Sequence, residues 1–186
     1  MYPAPANVSV ILSGALTKVN IGNAAATDLF LKDVTNNALA EGFKIGTTTV
    51  TWTATDTSGN SASATQLVSV RYSFGGILQP INTDGSSIFK AGSTVPVKFN
   101  LTDSNGAYVS TATAKLTYSK VTDQISGVIS EAVSTSTATI GNLFRYDPTA
   151  NQYIFNLSTK GLSVGTYLLM VNLDDGMSYS VKISLK

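Results

Sequence analysis

The 186 residues carry 12 Lys and Arg against 11 Asp and Glu, a net charge of +1, and contain neither Cys nor His. Those absences exclude thiol nucleophiles, His-based triads, zinc fingers and imidazole metal centres, and with no basic cluster nothing points to a nucleic-acid partner. Hydrophobic residues at 43% are enough for one large β domain or two small ones, while only 12% charged residues leaves Ser, Thr and Asn to cover the surface.

The opening MYPAPANVSV lacks the basic-then-apolar pattern of a secretory signal, and no later apolar run is long enough to predict membrane insertion. Met1 ahead of a Pro-rich stretch is expected to be the start of an excised fragment. Period-two alternation then recurs almost throughout, with no sustained helical period. In TTTVTWTATD, residues 47–56, Val50, Trp52 and Ala54 share one face and Thr49, Thr51, Thr53 and Thr55 the other. That pattern predicts a strand with one wet face and Trp52 in the core. The run SASATQLVSVRY places Ala64, Val68, Val70 and Tyr72 together, and a short polar loop between the two runs predicts a hairpin.

That loop, Asp56 to Asn60, is the first candidate site. Counted as an EF-hand from Asp56, Gly59 comes fourth and the twelfth residue is Leu67, so the calcium-loop pattern fails. The sequence predicts instead a turn in which Asp56 accepts amide hydrogen bonds and Gly59 supplies positive φ. A looser calcium site, with Asp28 and Asp33 approaching from neighbouring loops, is the alternative.

Alternation lapses near RYSFGGILQP, residues 71–80, which predicts a domain boundary with residues 1–71 before it and 72–186 after it. Beyond it, VPVKFNL turns Val95, Val97, Phe99 and Leu101 inward, and Pro96 predicts an edge strand or a strand start. The run TATAKLTYS aligns Ala112, Ala114, Leu116 and Tyr118. In NQYIFNLS apolar residues on both faces predict a sheet covered on both sides, with Tyr153, Phe155 and Leu157 on one of them. Asp174-Asp175-Gly176 between two alternating runs predicts a hairpin. In GLSVGTY, Leu162, Gly165 and Tyr167 stand in the order of the tyrosine corner of Ig-like sandwiches. The fold class read from this is all-β, two tandem Ig-like or fibronectin-III-like β-sandwiches.

Other candidates for chemistry have simpler readings. Asp174 and Asp175 are side by side in a turn, where solvation explains them better than a glycosidase pair, and Glu41 and Glu131 have no motif around them. Ser87 and Lys90 match S-x-x-K in spacing but lack the partner motifs of that enzyme class. Lys98 points away from the Val95 face, as a solvated edge lysine rather than an isopeptide donor. Tyr146 reads as an exposed turn residue that could stack on a sugar. Asn7, Asn100 and Asn156 open N-glycosylation triplets.

Two stretches resemble known families. ANVSVILSGALTKVNIGNAAATD followed by FKIGTTTVTWTATDTSGNSASATQLVSV resembles the hyalin repeat (HYR) domain, through Ala26-Thr27-Asp28, Gly46 to Val50, Thr53 to Asp56 and Gly59-Asn60. The middle, LFLKDVTNNALAE, departs from it in being short and free of cysteine. Residues 72–186 resemble the PxKF domain of secreted prokaryotic proteins, through Pro96-Val97-Lys98-Phe99, YSFGGILQPIN upstream and the C-terminal run from Leu157. These resemblances imply an Ig-like, extracellular or cell-surface module associated with adhesion. They imply no catalytic, cofactor-binding or metal residues. The partners expected are other domains of a parent protein, or a cell-surface protein or glycan. The function expected is a non-catalytic spacer, adhesion or assembly element, and the rival is a carbohydrate-binding accessory of a secreted hydrolase.

Overall fold

The computed structural model describes residues 4–186, so the opening Met1-Tyr2-Pro3 lies outside the described residues. Among those described there is no helix, and none long and apolar enough to cross a membrane. The fold is all-β, with sheets in an Ig-like sandwich arrangement. Two compact units divide it: the chain through Tyr72 with Asp103–Asn105, and Ser73–Thr102 with Gly106–Lys186.

The first unit contains β1 (Val8–Ile11), β2 (Leu31–Asn36), β3 (Gly46–Asp56) and β4 (Ser61–Arg71), in the sheet order β1-β4-β3-β2. The long hairpin β3–β4 runs in register from Gly46↔Val70 to Thr55↔Ser61. Its outer face follows the alternation: Thr47 meets Ser69 at 3.0 Å and Thr53 meets Ser63 at 3.1 Å, hydroxyl to hydroxyl. Its inner face buries Val50, Trp52, Val68 and Val70 with Phe43. Against them pack Leu12, Val19, Ile21 and Ala24 from a segment that forms no strand, joined to Phe43 by an isolated bridge at Thr17. The second layer of this sandwich is therefore largely irregular.

The first and last strands of this unit pair in parallel, Val8↔Val68 through Ile11↔Arg71, and the Leu12 N–H extends the ladder to the Arg71 carbonyl at 2.8 Å. Nothing in the local alternation of either strand specifies that partnership.

The second unit contains β5 (Ser73–Ile77), β6 (Ile88–Phe89), β7 (Thr94–Thr102), β8 (Ala114–Thr122), β9 (Ile125–Ser126) and β10 (Ser130–Glu131). Then follow β11 (Arg145–Asp147), β12 (Gln152–Ser158), β13 (Gly165–Leu173) and β14 (Ser178–Leu185). One sheet has the order β10-β8-β13-β14-β6, with β9 also on β8, and the other β11-β12-β7-β5. Val95, Val97, Phe99, Leu101, Tyr153, Phe155 and Leu157 bury the inner face of the smaller sheet. Leu116, Leu169, Val171, Val181 and Ile183 do so for the larger. Between the sheets, Phe74 stacks on Tyr179 with centroids 3.8 Å apart.

Gly75-Gly76, in the stretch where alternation lapses, belongs to β5, at an irregularity between Phe74 and Ile77. A Cβ on Gly75 would fall 1.9 Å from Oδ1 of Asn100, so only glycine lets that amide lie against the backbone. β7 is not an edge strand: β12 flanks it at Pro96 and β5 pairs with it from Phe99 to Thr102. Pro96 is tolerated because it sits near the strand's start, beyond the reach of β5. Finally, β12 alternates strictly, with Ile154 only half-buried opposite Tyr153, Phe155 and Leu157, so its outer face is not covered like a core.

Candidate functional site

The Asp56 loop is built as the turn its composition predicts. Asp56 Oδ1 accepts the N–H groups of Ser58 at 2.8 Å and Asn60 at 2.9 Å, and Oδ2 accepts the Asn60 side-chain amide at 2.7 Å. Those bonds, the Asn60 amide first, stabilise the carboxylate and lower its pKa below the ordinary aspartate value. Gly59 takes φ +89°, a left-handed conformation that a side chain would strain.

Asp28 stands on the loop before β2, where its Oδ1 accepts the Phe30 N–H at 2.8 Å. That loop is tied to the hairpin by the Thr57 N–H, which donates to the Phe30 carbonyl at 2.9 Å, and by the pairing of Leu31 with Asp56. Asp28 and Asp56 consequently line one cavity of about 200 Å³. Asp33, paired with Thr55, is not among its lining residues. Among the described residues no three His, Cys, Asp or Glu stand together as a group that could hold a metal ion.

The cavity has a simple origin. Where Trp52, Val68 and Val70 fill the rest of the core, the inward positions toward the hairpin tip are Ala54, Ala62 and Ala64. The opposing segment supplies Ala4, Ala24, Ala25 and Ala26. Methyl groups on both sides cannot meet across a layer built for larger side chains, so space remains. Trp52, Val34 and Leu31 close its apolar side, and exposed Ala25, Thr27 and Asp28 form its rim.

Behind it lies a polar hub. Gln66 is fully buried, donates from Nε2 to the carbonyls of Ala6 at 2.7 Å and Ile21 at 3.1 Å, and accepts the Trp52 Nε1–H at 3.1 Å. Its amide pins the irregular second layer to the sheet. The signal for it was present, since Gln66 occupies the inward phase between Ala64 and Val68, where an apolar residue is expected.

The remaining candidates are dispersed. Asp174 is exposed and its Oδ2 accepts the Thr113 N–H at 3.0 Å. Asp175, expected in solvent, is instead 1% exposed, with Oδ1 accepting the Met177 N–H at 2.8 Å inside the β13–β14 turn. Glu41 and Glu131 lie in different units. Buried Ser87 uses its Oγ to accept the Asn82 N–H at 2.7 Å, and half-buried Lys98 lies on the outer phase of β7. Tyr146 is not a turn residue: it lies in β11, half-buried, donates to Asn151 Oδ1 at 3.0 Å and packs edge-on against Tyr153 at 5.1 Å. Of the glycosylation triplets, Asn7 uses Oδ1 to accept the Leu67 N–H at 2.8 Å, Asn100 faces Gly75, and Asn156 pairs with Pro96. The tyrosine corner forms, with the Tyr167 hydroxyl donating to the Ser163 carbonyl at 2.9 Å.

Comparison with known families matches residues 8–70, β1 through most of β4, to the HYR domain. No curated protein matches the chain. Among solved structures, a chimeric titin Z1Z2–Z1Z2 tandem is 14% identical, with 97% of this chain and 94% of that one covered and a TM-score of 0.33. The adhesin InvE of Yersinia pseudotuberculosis is 16% identical over 84% of this chain and 46% of its own, with a TM-score of 0.38. A complex of Dpr2 Ig1–Ig2 with DIP-Theta Ig1–Ig3 is 15% identical, with a TM-score of 0.28, over 75% of this chain, which spans 39% of that one.

Proposed function

We propose that this chain is a non-catalytic module of a larger secreted or cell-surface protein, made of two domains, residues 1–71 and 72–186. It acts as a load-bearing spacer and adhesion or assembly element, with partners among neighbouring domains or surface molecules. The match of residues 8–70 to the HYR domain supports an adhesion-type module. For residues 72–186 the PxKF resemblance stands as part of the same reading. Its support is that Val97 and Phe99 of Pro96-Val97-Lys98-Phe99 are fully buried while Lys98 faces outward, a structural rather than a catalytic use.

The observation that carries the mechanical part is the parallel pairing of β1 with β4. Tension enters the first unit through the N-terminal end of β1 and leaves through the C-terminal end of β4. In a parallel pair those ends lie at opposite ends of the ladder, so pulling slides the strands past each other and loads every hydrogen bond together. An antiparallel hairpin pulled at its open end yields one bond at a time. In the second unit β14 also has a parallel partner, β6, through Ser184↔Ile88 and Leu185↔Phe89.

Single-molecule force spectroscopy tests this directly. Because the chain has no cysteine, handles can be placed at will. The first unit pulled through its ends should rupture at clearly higher force than when pulled through cysteines replacing Thr47 and Arg71 at the open end of the β3–β4 hairpin. Equal forces would remove the load-bearing role. Antibody labelling of intact source cells tests the surface location.

A further inference from the structure

We propose that Asn105 is a self-modifying site, whose side chain closes on the backbone of Gly106 and passes through a succinimide to aspartate and isoaspartate. Asn105-Gly106 is the only Asn-Gly pair in the chain. It lies in the turn after β7, where Ser104, Asn105, Gly106 and Ala107 are all exposed. Asparagine is among the chemically labile residues, and this turn leaves both reacting groups unengaged. Among the described residues the Asn105 side-chain amide makes no hydrogen bond; only its backbone N–H is held, by Asp103 Oδ1 at 2.8 Å. Elsewhere such amides are tied down: Asn60 donates to Asp56 at 2.7 Å, Asn142 to the Leu116 carbonyl at 3.2 Å and Asn172 to Thr117 at 3.0 Å.

The attacking nitrogen is as open as the amide it attacks. In the two Asp-Gly pairs the glycine N–H is engaged, Gly85 donating to the Asn82 carbonyl at 3.3 Å and Gly176 to the Leu173 carbonyl at 3.1 Å. Among the described residues no comparable bond holds the Gly106 N–H. A hydrogen bond of ordinary net strength that must break before attack slows the step by about fivefold. Gly106 also has no Cβ, and one built there would meet nothing within 4 Å, so water and base reach the nitrogen from open solvent.

The conversion balances with water alone. Base takes the Gly106 N–H proton, the nitrogen bonds to Cγ of Asn105, and the Cγ–Nδ2 bond breaks with release of ammonia. Water then opens the cyclic imide. Attack at Cγ breaks the new bond and leaves aspartate. Attack at the main-chain carbonyl carbon of residue 105 breaks the original peptide bond instead, and leaves isoaspartate with its chain running through Cγ. Each conversion adds one negative charge, taking the formal net charge from +1 to 0. The extra methylene of isoaspartate falls within a loop closed by the isolated bridge between Thr102 and Tyr108. With Ser104 to Ala107 exposed, that loop can bulge outward while the fold persists. New and aged copies of the protein would thus differ in charge and backbone on one accessible loop.

The proposal requires neither a partner nor a load, so it stands apart from the module reading. Peptide mapping by mass spectrometry tests it on the whole chain, incubated folded at mildly alkaline pH and body temperature. The peptide bearing residue 105 should gain the mass of water less that of ammonia, and should accept methyl groups from an isoaspartate methyltransferase. It should convert at least about tenfold faster than any other asparagine peptide, and isoaspartate at Asp84 or Asp175 should lag by as much. Isoelectric focusing should show a growing acidic form that Asn105→Ser does not produce. Parallel incubation in urea separates the turn from the bare sequence: the folded chain should convert within about tenfold of the unfolded rate. Slower folded conversion than that would mean that the native turn protects Asn105, and would overturn the proposal. Equal or faster gain at another asparagine, or an acidic form that persists in Asn105→Ser, would overturn it too.

Discussion

The indole N–H of Trp52 is bonded to the side-chain oxygen of Gln66 at 3.1 Å, with both residues buried. The other end of the Gln66 amide holds the carbonyls of Ala6 and Ile21, so one side chain satisfies three groups in a layer without strand ladders. Gln66→Leu preserves volume but leaves those groups unpaired, and an unsatisfied buried polar group costs about 1–3 kcal/mol. The expected loss is therefore about 3 kcal/mol or more in the first unit, measured by urea denaturation followed through Trp52 emission. Trp52→Phe made on top of Gln66→Leu should cost less than Trp52→Phe alone, because it then removes an indole N–H that Gln66→Leu has left unpaired and no longer strips Gln66 of a donor.

Acidification should act through Asp56. Its folded-state pKa lies below the unfolded one because Asn60 and Ser58 donate to the carboxylate. Its contribution is thus present above the unfolded pKa and lost as pH falls through the folded one. Melting temperature should decline below about pH 4, and Asp56→Asn should flatten that decline. Asp84, held by Ser86 in the same manner, adds the same dependence in the second unit. An unaltered acid profile in the double variant Asp56→Asn, Asp84→Asn would contradict this account.

Alternation made most of this fold readable, because a side-chain period of two assigns faces without knowledge of partners. Val50 and Trp52, or Val95 through Leu101, could be placed in the core on that basis, and Tyr167 announced its corner by spacing from Gly165. Partnership itself was not readable. The parallel pairing of Val8 with Val68 joins distant segments through backbone groups that every residue possesses. At Gly75-Gly76 the sequence leaves the role open, because glycine marks turns and close approaches alike, and only the position of Asn100 decides which. The cavity was half legible. Ala54 and Ala64 have the inward phase, but their opposite wall comes from a segment with no period at all. The depth of Asp175 had no local signal, since Asp-Gly describes the turn and not what covers it.

Alkaline conditions should act through Tyr153. Its hydroxyl donates to the Val109 carbonyl at 3.1 Å and accepts the Ala112 N–H at 2.9 Å, with the side chain 1% exposed. Burial, the largest influence, pushes its pKa up to about 12, so the neutral form is favoured in the folded state. This contribution is complete below the unfolded value near pH 10 and disappears as pH rises toward 12. Tyr153→Phe should cost about 1–3 kcal/mol at neutral pH, because the Ala112 N–H loses its acceptor. It should also reduce the steepness of alkaline unfolding, monitored by circular dichroism.

The Pro-x-Lys-Phe stretch gives the sharpest contrast within four residues. Phe99 is fully buried, stacked on Tyr153 at 5.0 Å, edge-on to Phe144 at 4.9 Å and 5.4 Å from Phe74. Phe99→Ala removes the ring on which these three converge, and such truncations cost about 3–5 kcal/mol. Lys98, one residue earlier, sits half-buried on the opposite face of the same strand. Lys98→Gln should therefore change stability by no more than about 0.5 kcal/mol. Thermal unfolding of the two variants separates packing from chemistry as the reason for the motif. A large loss at Phe99 with little at Lys98 makes it a packing element of β7. A loss at Lys98 as large as that at Phe99 would mean that the lysine has a bonded partner, and intact mass, lower by one ammonia in the parent chain but not in Lys98→Gln, would identify it as an isopeptide link.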